Sequence, residues 1–502
     1  MAESEPRRYR FGPLERRGVV GGLRPGQVGI VATALAGTVL LLNVSSAPPV
    51  ALLAIALALA GTGVAFYPFA GRTLEQWVPV ASAWGLRRFR RAGRYRSAAP
   101  RAGVRGREGS ALVEPAADLP DALEGVELLS APLAGDEVGV VKDRRANTYT
   151  AVLAVRVGSF GLLDRADQER RLAGWGAVLA GLARENSPVR RVQWIERTVP
   201  SDGDELARYL QSERDATVPL WGSPVASYIE LVESAGAVTQ DHELFVALQL
   251  DARRAWRQLK RLGRGDEGAA KLLVRELETL AQRLVAGDVQ VVGALPPRML
   301  ARAIRDAYDP YGRTGRARLG ATDPSLAGSS PENAWPTAAD ESWGDYRSDS
   351  ALHATYWVSQ WPRLDVGATF LSPLLMQTNV LRTVAVTMEP VAPSVALRKV
   401  EAARTTDIAD EETRRRTGFV TTARKRLQQE STARREQELA DGHAEFRFAG
   451  FVTVSARDPE GLERACAEVE HAAQQARLDL QRLYGQQALG FTFTLPLARG
   501  LR

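Results

Sequence analysis

The longest uninterrupted apolar pattern lies near the start of the chain, where Gln27 to Gly71 carries no charged residue. Two runs, QVGIVATALAGTVLLLN and VALLAIALALAGTGVAF, are separated by the turn-like Val44-Ser45-Ser46-Ala47-Pro48-Pro49. At about 1.5 Å rise per residue, each run covers roughly a bilayer's hydrocarbon core once flanking residues contribute. Hydrocarbon offers backbone groups no water, so two helices joined by a short loop satisfy the chain at least cost, and Pro49 suits the first turn of the second helix. The pattern predicts a transmembrane hairpin over 27–71. A cleaved signal peptide with Ser45-Ser46-Ala47 as its cleavage site is an alternative, but Pro48 directly after that site argues against it. A buried soluble hairpin would keep a polar face, and these runs do not.

Beyond Gly71 the pattern shortens and begins to alternate. TLEQWVPVASAWGLRRFRRAGRYR interleaves large apolar side chains with arginine, and AAPRAGVRGREG after it reads as a linker. From about Leu112, β-rich stretches bounded by Gly, Asp and Asn predict strands beginning at Val126, Glu137 and Tyr149. A helix is expected over Asp164 to Glu185 with Asp164 as N-cap, then a strand over Val189 to Val199. Helices are expected over 202–213, 225–234 and 267–285, with strands at HELFVALQL and Val289-Gln-Val-Val. Tyr308 to Tyr346 is rich in Gly, Pro, Ser, Asp and Trp, has no period, and reads as a long surface loop. Strands are expected in ALHATYWVSQWP, LRTVAVTMEPV and EFRFAGFVTVSA, a charged helix over Ser394 to Asp441, a helix after Asp458-Pro459, and a short strand or turn at the end.

This alternation predicts a mixed α/β, or α+β, cytosolic body behind an N-terminal two-helix transmembrane hairpin. The expected divisions are a basic tail (1–26), the hairpin (27–71), a basic juxtamembrane segment and linker (72–111), a first α/β domain (112–307), the loop (308–346) and a second α/β part with the charged helix (347–502).

Charge fixes the expected orientation. Arg7, Arg8, Arg10, Arg16, Arg17 and Arg24 precede the first run, and Arg72, Arg87, Arg88, Arg90, Arg91, Arg94 and Arg96 follow the second. The intervening turn has none, so the positive-inside bias puts both termini in the cytoplasm, at the plasma membrane, with only the turn outside. Rings mixed with guanidinium groups suit the lipid headgroup region, which makes Trp77, Trp84, Arg87, Arg88, Arg90 and Arg91 candidates for contact with anionic lipid. Nucleic acid is the weaker partner for the same charges. Over 502 residues the net charge is only +6, and the single cysteine, Cys466, excludes an intramolecular disulfide framework.

Catalytic signatures are missing from the sequence. No G-x-x-x-x-G-K-[ST] occurs, so the phosphate cradle of a P-loop motor is lacking, and neither G-x-S-x-G nor H-E-x-x-H is present. Gly442-His443-Ala444-Glu445 contains H-x-E, but a zinc deaminase needs a P-C-x-x-C that one cysteine cannot provide. The four histidines, His242, His353, His443 and His471, are scattered. Trp335, Trp343, Trp357 and Trp361 could stack bases or anchor a partner, with core packing the commoner fate. The charged stretch Arg404 to Arg435 reads as a solvated helix face with i,i+4 pairs. No enzyme activity, cofactor or metal is expected.

Two parts of the chain carry a family resemblance. The hairpin with basic flanks resembles PrgI-type membrane subunits of Gram-positive conjugation machines. YWVSQWPRLDVGATFLSPLL, LRTVAVTMEPVAP, the charged helix, GHAEFRFAGFVTVSARDPEGLERACAEVEHAA and ALGFTFTLPLARGLR are similar to the N-terminal, non-motor domain of type IV secretion ATPases. An actinobacterial family fuses these parts in this order. The chain stops at Arg502, about where the motor begins in that family, so the resemblance implies a membrane-anchored assembly subunit acting as a platform for a separate secretion ATPase, within an oligomeric complex of membrane subunits. It also implies that Leu495, Pro496, Arg499 and Arg502 lie nearest the ATPase. A membrane-tethered protein that binds nucleic acid or an acidic partner is the alternative.

Overall fold

The computed structural model describes residues 25–45, 47–69, 72–90, 92–97, 119–133, 135–158, 160–200, 213, 224–228, 230, 240–263, 265–313, 315–316, 328–376, 380–417 and 433–501. The helices expected over 202–213 and 225–234, the tail 1–24 and most of the linker lie largely outside these residues.

Helices α1 (Pro25–Val44) and α2 (Pro48–Phe66) form the hairpin, with prolines in the first turn of α2. Both are long and apolar enough to cross a membrane. Small residues let them approach closely: a Cβ on Gly61 would collide with that of Ala34. Thr38 Oγ1 donates to Ala34 O at 2.8 Å within its own helix, and Gln27 Nε2 donates across to Ala65 O at 3.0 Å, so these polar groups are satisfied inside the pair. The remaining faces carry exposed Leu35, Val39, Leu40, Leu52, Leu53, Ile55 and Leu59.

A two-residue ribbon, β1 (Pro68–Phe69) and β2 (Arg72–Thr73), turns the chain back into α3 (Leu74–Phe89), followed by β3 (Arg94–Arg96). The body then contributes β4 (Val126–Leu133), β5 (Asp136–Asp143), β6 (Thr148–Arg156), α4 (Arg165–Ala180), β7 (Val189–Pro200), β8 (Gln240–Asp251), α5 (Trp256–Leu262), α6 (Asp266–Ala286), β9 (Gln290–Ala294) and α7 (Pro297–Tyr308). It continues with β10 (Ala338–Glu341), β11 (Tyr346–Ser348), β12 (Ala351–Gln360), α8 (Ser372–Met376), β13 (Leu381–Pro390), α9 (Pro393–Thr417), β14 (Phe446–Ala456), α10 (Pro459–Gln475), β15 (Asp479–Arg482) and α11 (Gln487–Phe491). The fold is α+β, and among the described residues every strand pairing is antiparallel.

One sheet joins everything from β3 onward, in the order β3-β10-β11-β12-β14-β13-β7-β8-β6-β5-β4, with β15 also on β12 and β9 also on β6. This order contains a duplication. With α5 and α9 set aside as additions to one half each, the succession β6-α4-β7-β8-α6-β9 repeats as β12-α8-β13-β14-α10-β15, and each gives the spatial order last, first, third, second of a split β-α-β unit. The second strands meet edge to edge, with Ala385 opposite Ile195 and Val386 opposite Trp194, so the two units share a continuous sheet. The expected domains 112–307 and 347–502 are therefore halves of one body. The stretch 308–346 differs from the expected loop by containing β10, part of β11 and short helical turns; β10 makes the edge on which β3 is laid.

Helices α4 and α6 cover one face of the first half through Val178, Leu272, Leu273, Leu277, Leu280 and Leu284, and α10 covers the same face of the second through Leu462, Cys466 and Val469. Asp164 caps α4 by accepting from Asp167 N at 2.8 Å, and Asp458 caps α10 through Gly461 N at 2.8 Å. The other face is covered by α7, with Leu300, Ile304 and Tyr308, and by the C-terminal segment, with Phe491, Leu495 and Leu497.

Candidate functional site at the membrane-proximal face

Helix α3 is where the hairpin meets the body. At its N-cap Thr73 N donates to Gln76 Oε1 at 3.3 Å, one half of a capping box, and basic Arg87 and Arg88 sit in its last turn, where they complement the helix dipole. The inward side is aromatic. Trp77 packs against Trp343 at 5.8 Å between ring centroids and against Tyr484 at 6.2 Å, while Trp84 meets Trp343 edge-on at 5.1 Å. The rim of Trp343 is accommodated by Gly485, whose φ of +69° favours glycine and where a Cβ would lie 2.6 Å from the ring.

An ion pair between buried Glu341 and half-buried Arg87 fixes the same junction. Glu341 is 6% exposed; its Oε1 accepts from Ala488 N at 3.0 Å, and its Oε2 lies 3.5 Å from Arg87 Nε. Burial pushes the carboxyl upward, against the opposing pull of the Ala488 amide and the guanidinium. Arg87 also donates to Gly485 O. Beside this pair, Trp84, Arg87, Arg88, Gly93, Arg94, Asp340 and Glu341 line an open cleft of about 190 Å³. Main-chain pairing of Arg94, Tyr95 and Arg96 with Asp340, Ala339 and Ala338 completes the attachment.

The candidate lipid contacts therefore divide. Trp77 is 8% exposed and faces the body, Trp84 is half-buried there, and Arg87 is held by Glu341. Arg88 and Arg90 are exposed, and Arg91 lies outside the described residues. Arg88 also stacks over Trp84, 5.6 Å from the ring centre.

The candidate ATPase contacts sit in a strap over the sheet. Leu495 and Pro496 are buried, and Arg499 donates to Ala122 O at 2.7 Å and to Asp143 Oδ2 at 2.5 Å. Gln193 of β7 binds the strap twice, giving its Nε2 hydrogen to Phe493 O and accepting from Ala498 N, both at 2.8 Å. Arg191 reaches Glu389, Ala498 O and Leu501 O. Arg502 lies outside the described residues. A partner that grips Leu495 or Pro496 must first lift the strap, whereas backbone and guanidinium atoms at its rim are within reach without that step.

Most of the other chemistry-bearing side chains among the described residues are tied into structure. His353 is fully buried between Ser348 Oγ and Ser455 Oγ, each at 2.8 Å; Ser348 gives its own proton to Tyr308 O, so His353 Nε2 carries the hydrogen. Burial lowers its pKa to about 3. His242 Nδ1 lies 2.6 Å from Glu196 Oε1, while His443 and His471 are exposed. Cys466 is buried and its thiol pushed upward. Among the described residues no cluster of three or more His, Cys, Asp or Glu is placed to hold a metal. Trp335 is in the core, Trp361 packs on Phe448 at 5.1 Å, and the charged α9 is bridged by Arg404 to Glu436 at 2.6 Å.

Residues 238–358 match the family model described as the type VII ESX secretion system translocon, EccE. The match spans about a quarter of the chain, from β8 through β12, and includes Glu341 and Trp343 of the α3 junction. A comparison with curated proteins found no match. Taken with the two membrane-length helices, the family match supports a component of a membrane secretion system, and one of type VII rather than the type IV, PrgI-like kind that the sequence resembles. Sequence reasoning reached the membrane hairpin and the secretion context. It missed the Arg87 to Glu341 pair and the Gly485 seat, because nothing local marks residues so far apart in the chain as neighbours.

Proposed function

We propose that this chain is a structural membrane subunit of a type VII secretion translocon, anchored by α1 and α2, whose body is a platform for other subunits on the cytoplasmic side. The observation that carries the reading is the EccE-like stretch 238–358, joined through α3 to a membrane-length hairpin. Orientation follows from the thirteen arginines flanking an uncharged turn. A platform role, with a secretion ATPase supplied in trans, suits a broad, continuous sheet whose histidines are spent on structural bonds or left scattered at the surface; binding needs shape, whereas catalysis needs converging reactive groups. In this reading the protein is not itself an enzyme.

The test is affinity purification of the full chain from its native membrane in mild detergent, with mass-spectrometric identification of stoichiometric partners. Type VII translocon subunits, an ATPase among them, are expected. Recovery of conjugative type IV subunits instead would restore the resemblance drawn from sequence, and a chain that purifies free of any translocon subunit would refute the proposal.

A further inference from the structure

Helix α3 begins at the level of the membrane helix ends. Pro68 pairs with Thr73 across the β1–β2 ribbon, and strand partners sit about 5 Å apart, so the chain returns to the end of α2 before α3 starts. The start of α1 is there too: a Cβ on Gly26 would meet Glu75 Oε2 of the first turn of α3 at 2.5 Å.

The helix then shows two different faces. Trp77, Val80, Trp84 and Arg87 turn toward the body. On the other side Val78, Leu86 and Phe89 are 63%, 51% and 87% exposed, and the residues between them on that side, Pro79, Ser82 and Gly85, carry no charge. At 100° per residue this arc, which carries no charge from Val78 to Phe89 and is headed in the first turn by Glu75 beside Gly26, is bordered by Arg88 on one edge and Arg90 on the other, the distribution of a helix lying in a lipid interface. The contact is continuous with the hairpin, and its flanking charge complements anionic headgroups.

We infer that α3 lies along the bilayer surface, with Val78, Leu86 and Phe89 at the boundary of headgroups and acyl chains and with Arg88 and Arg90 among anionic headgroups. This rests on the reading that α1 and α2 span the membrane. It moves the lipid contact from the tryptophans to the opposite side of the helix, and it gives the tryptophans another task. With Trp77 and Trp84 locked on Trp343 and Tyr484, a helix held flat on the lipid sets the tilt of the whole body.

The experiment uses the full chain with Cys466→Ala and one nitroxide-labelled cysteine at a time, at Phe89, Leu86, Leu40 in α1 and Leu162 on the body, in nanodiscs of phosphatidylcholine with phosphatidylglycerol. Collision with oxygen reports lipid, and collision with a soluble nickel chelate reports water. The labels at Phe89 and Leu86 should be reached by oxygen and screened from nickel like that at Leu40, with Leu162 showing the reverse. Removing phosphatidylglycerol, or introducing Arg88→Gln with Arg90→Gln, should move the Phe89 label toward the nickel response of Leu162. A Phe89 label as open to nickel as Leu162, with Leu40 still in lipid, would overturn the inference alone. Screening of Phe89 from both probes would also overturn it, by showing a protein partner on this face. A Leu40 label open to nickel would remove the membrane reading beneath it.

Discussion

The amide of Leu483 donates to the carbonyl of Thr355 at 2.9 Å. Leu295 makes the same bond to Val152, also at 2.9 Å, at the corresponding point of the other half. In each half the last strand leaves its central partner at this bond, and the next segment crosses to the face opposite the helices: α7 after Leu295, and α11 with the strap after Leu483. Where the first half has the long helix α7 after its last strand, the second half has the short α11, and the strap covers the remaining ground.

The junction between hairpin and body depends on Trp343. Its ring contacts Trp77, Trp84 and Tyr484, and replacing it by alanine removes all three contacts. Because the ring is half-buried, the expected cost is about 2 kcal/mol, toward or below the low end for large aromatic truncations. Since α3 and β3 carry that cost while the helix-covered cores are untouched, Trp343→Ala should accelerate proteolysis between 72 and 97 with little change in the main melting transition. A uniform drop in stability would place Trp343 in the body's own core instead.

Glu389 should make the strap acid-sensitive. Burial works to raise its pKa, but hydrogen bonding from Arg254 and the charges of Arg191, Arg254 and Arg447 outweigh burial and hold it below the usual value of 4.5. A folded pKa lower than the unfolded one stabilises at pH above 4.5 and loses that contribution as pH falls through the folded pKa. Arg191, which also holds Ala498 O and Leu501 O, then loses its counter-charge. Protection of 493–501 from hydrogen exchange, taken relative to the intrinsic rate at each pH, should fall on acidification below that range, and Glu389→Gln should show the lower protection already at neutral pH. Equal acid responses in the two proteins would rule Glu389 out.

The orientation of the hairpin can be read directly. With Cys466→Ala, cysteine at Ser45 should react with an impermeant thiol reagent in intact cells, and cysteine at Ser97 only after lysis. Labelling of Ser97 alone in intact cells would invert the topology.

Much of this is legible in local sequence. The apolar runs, the Asp164 and Asp458 caps and the strand at Ala351 need only neighbours a few residues away. Tyr308 to Tyr346 is not legible in that way, because Ala338 to Glu341 is a strand only by pairing with β3 and β11, and its composition is that of a loop. The duplication is hidden because equivalent positions share burial and hydrogen bonding rather than residue type, as Val152 and Thr355 show. Arginine alternating with the tryptophans of α3 points those rings toward lipid in the sequence; the ring of Trp343, far along the chain, turns them the other way.

The strap itself hangs on Gln193. This side chain is fully buried, and its amide satisfies both Phe493 O and Ala498 N. Gln193→Leu has nearly the same shape but can make neither bond, so it leaves a buried carbonyl and a buried amide without partners. At about 1–3 kcal/mol for each orphaned group, the expected loss is roughly 2–6 kcal/mol, reduced where the strap relaxes toward water. Release should therefore compete with strain: the strap detaches locally, Leu495 and Leu497 become exposed, and cleavage near the C-terminus precedes global unfolding. Gln193→Glu is the informative companion. It keeps an acceptor for Ala498 N while losing the donor to Phe493 O, so it should retain part of the protection at neutral pH. If a partner subunit grips the buried side chains of the strap, Gln193→Leu should strengthen its capture even as the isolated protein weakens. Unchanged capture together with a detached strap would show that the partner binds elsewhere on the body.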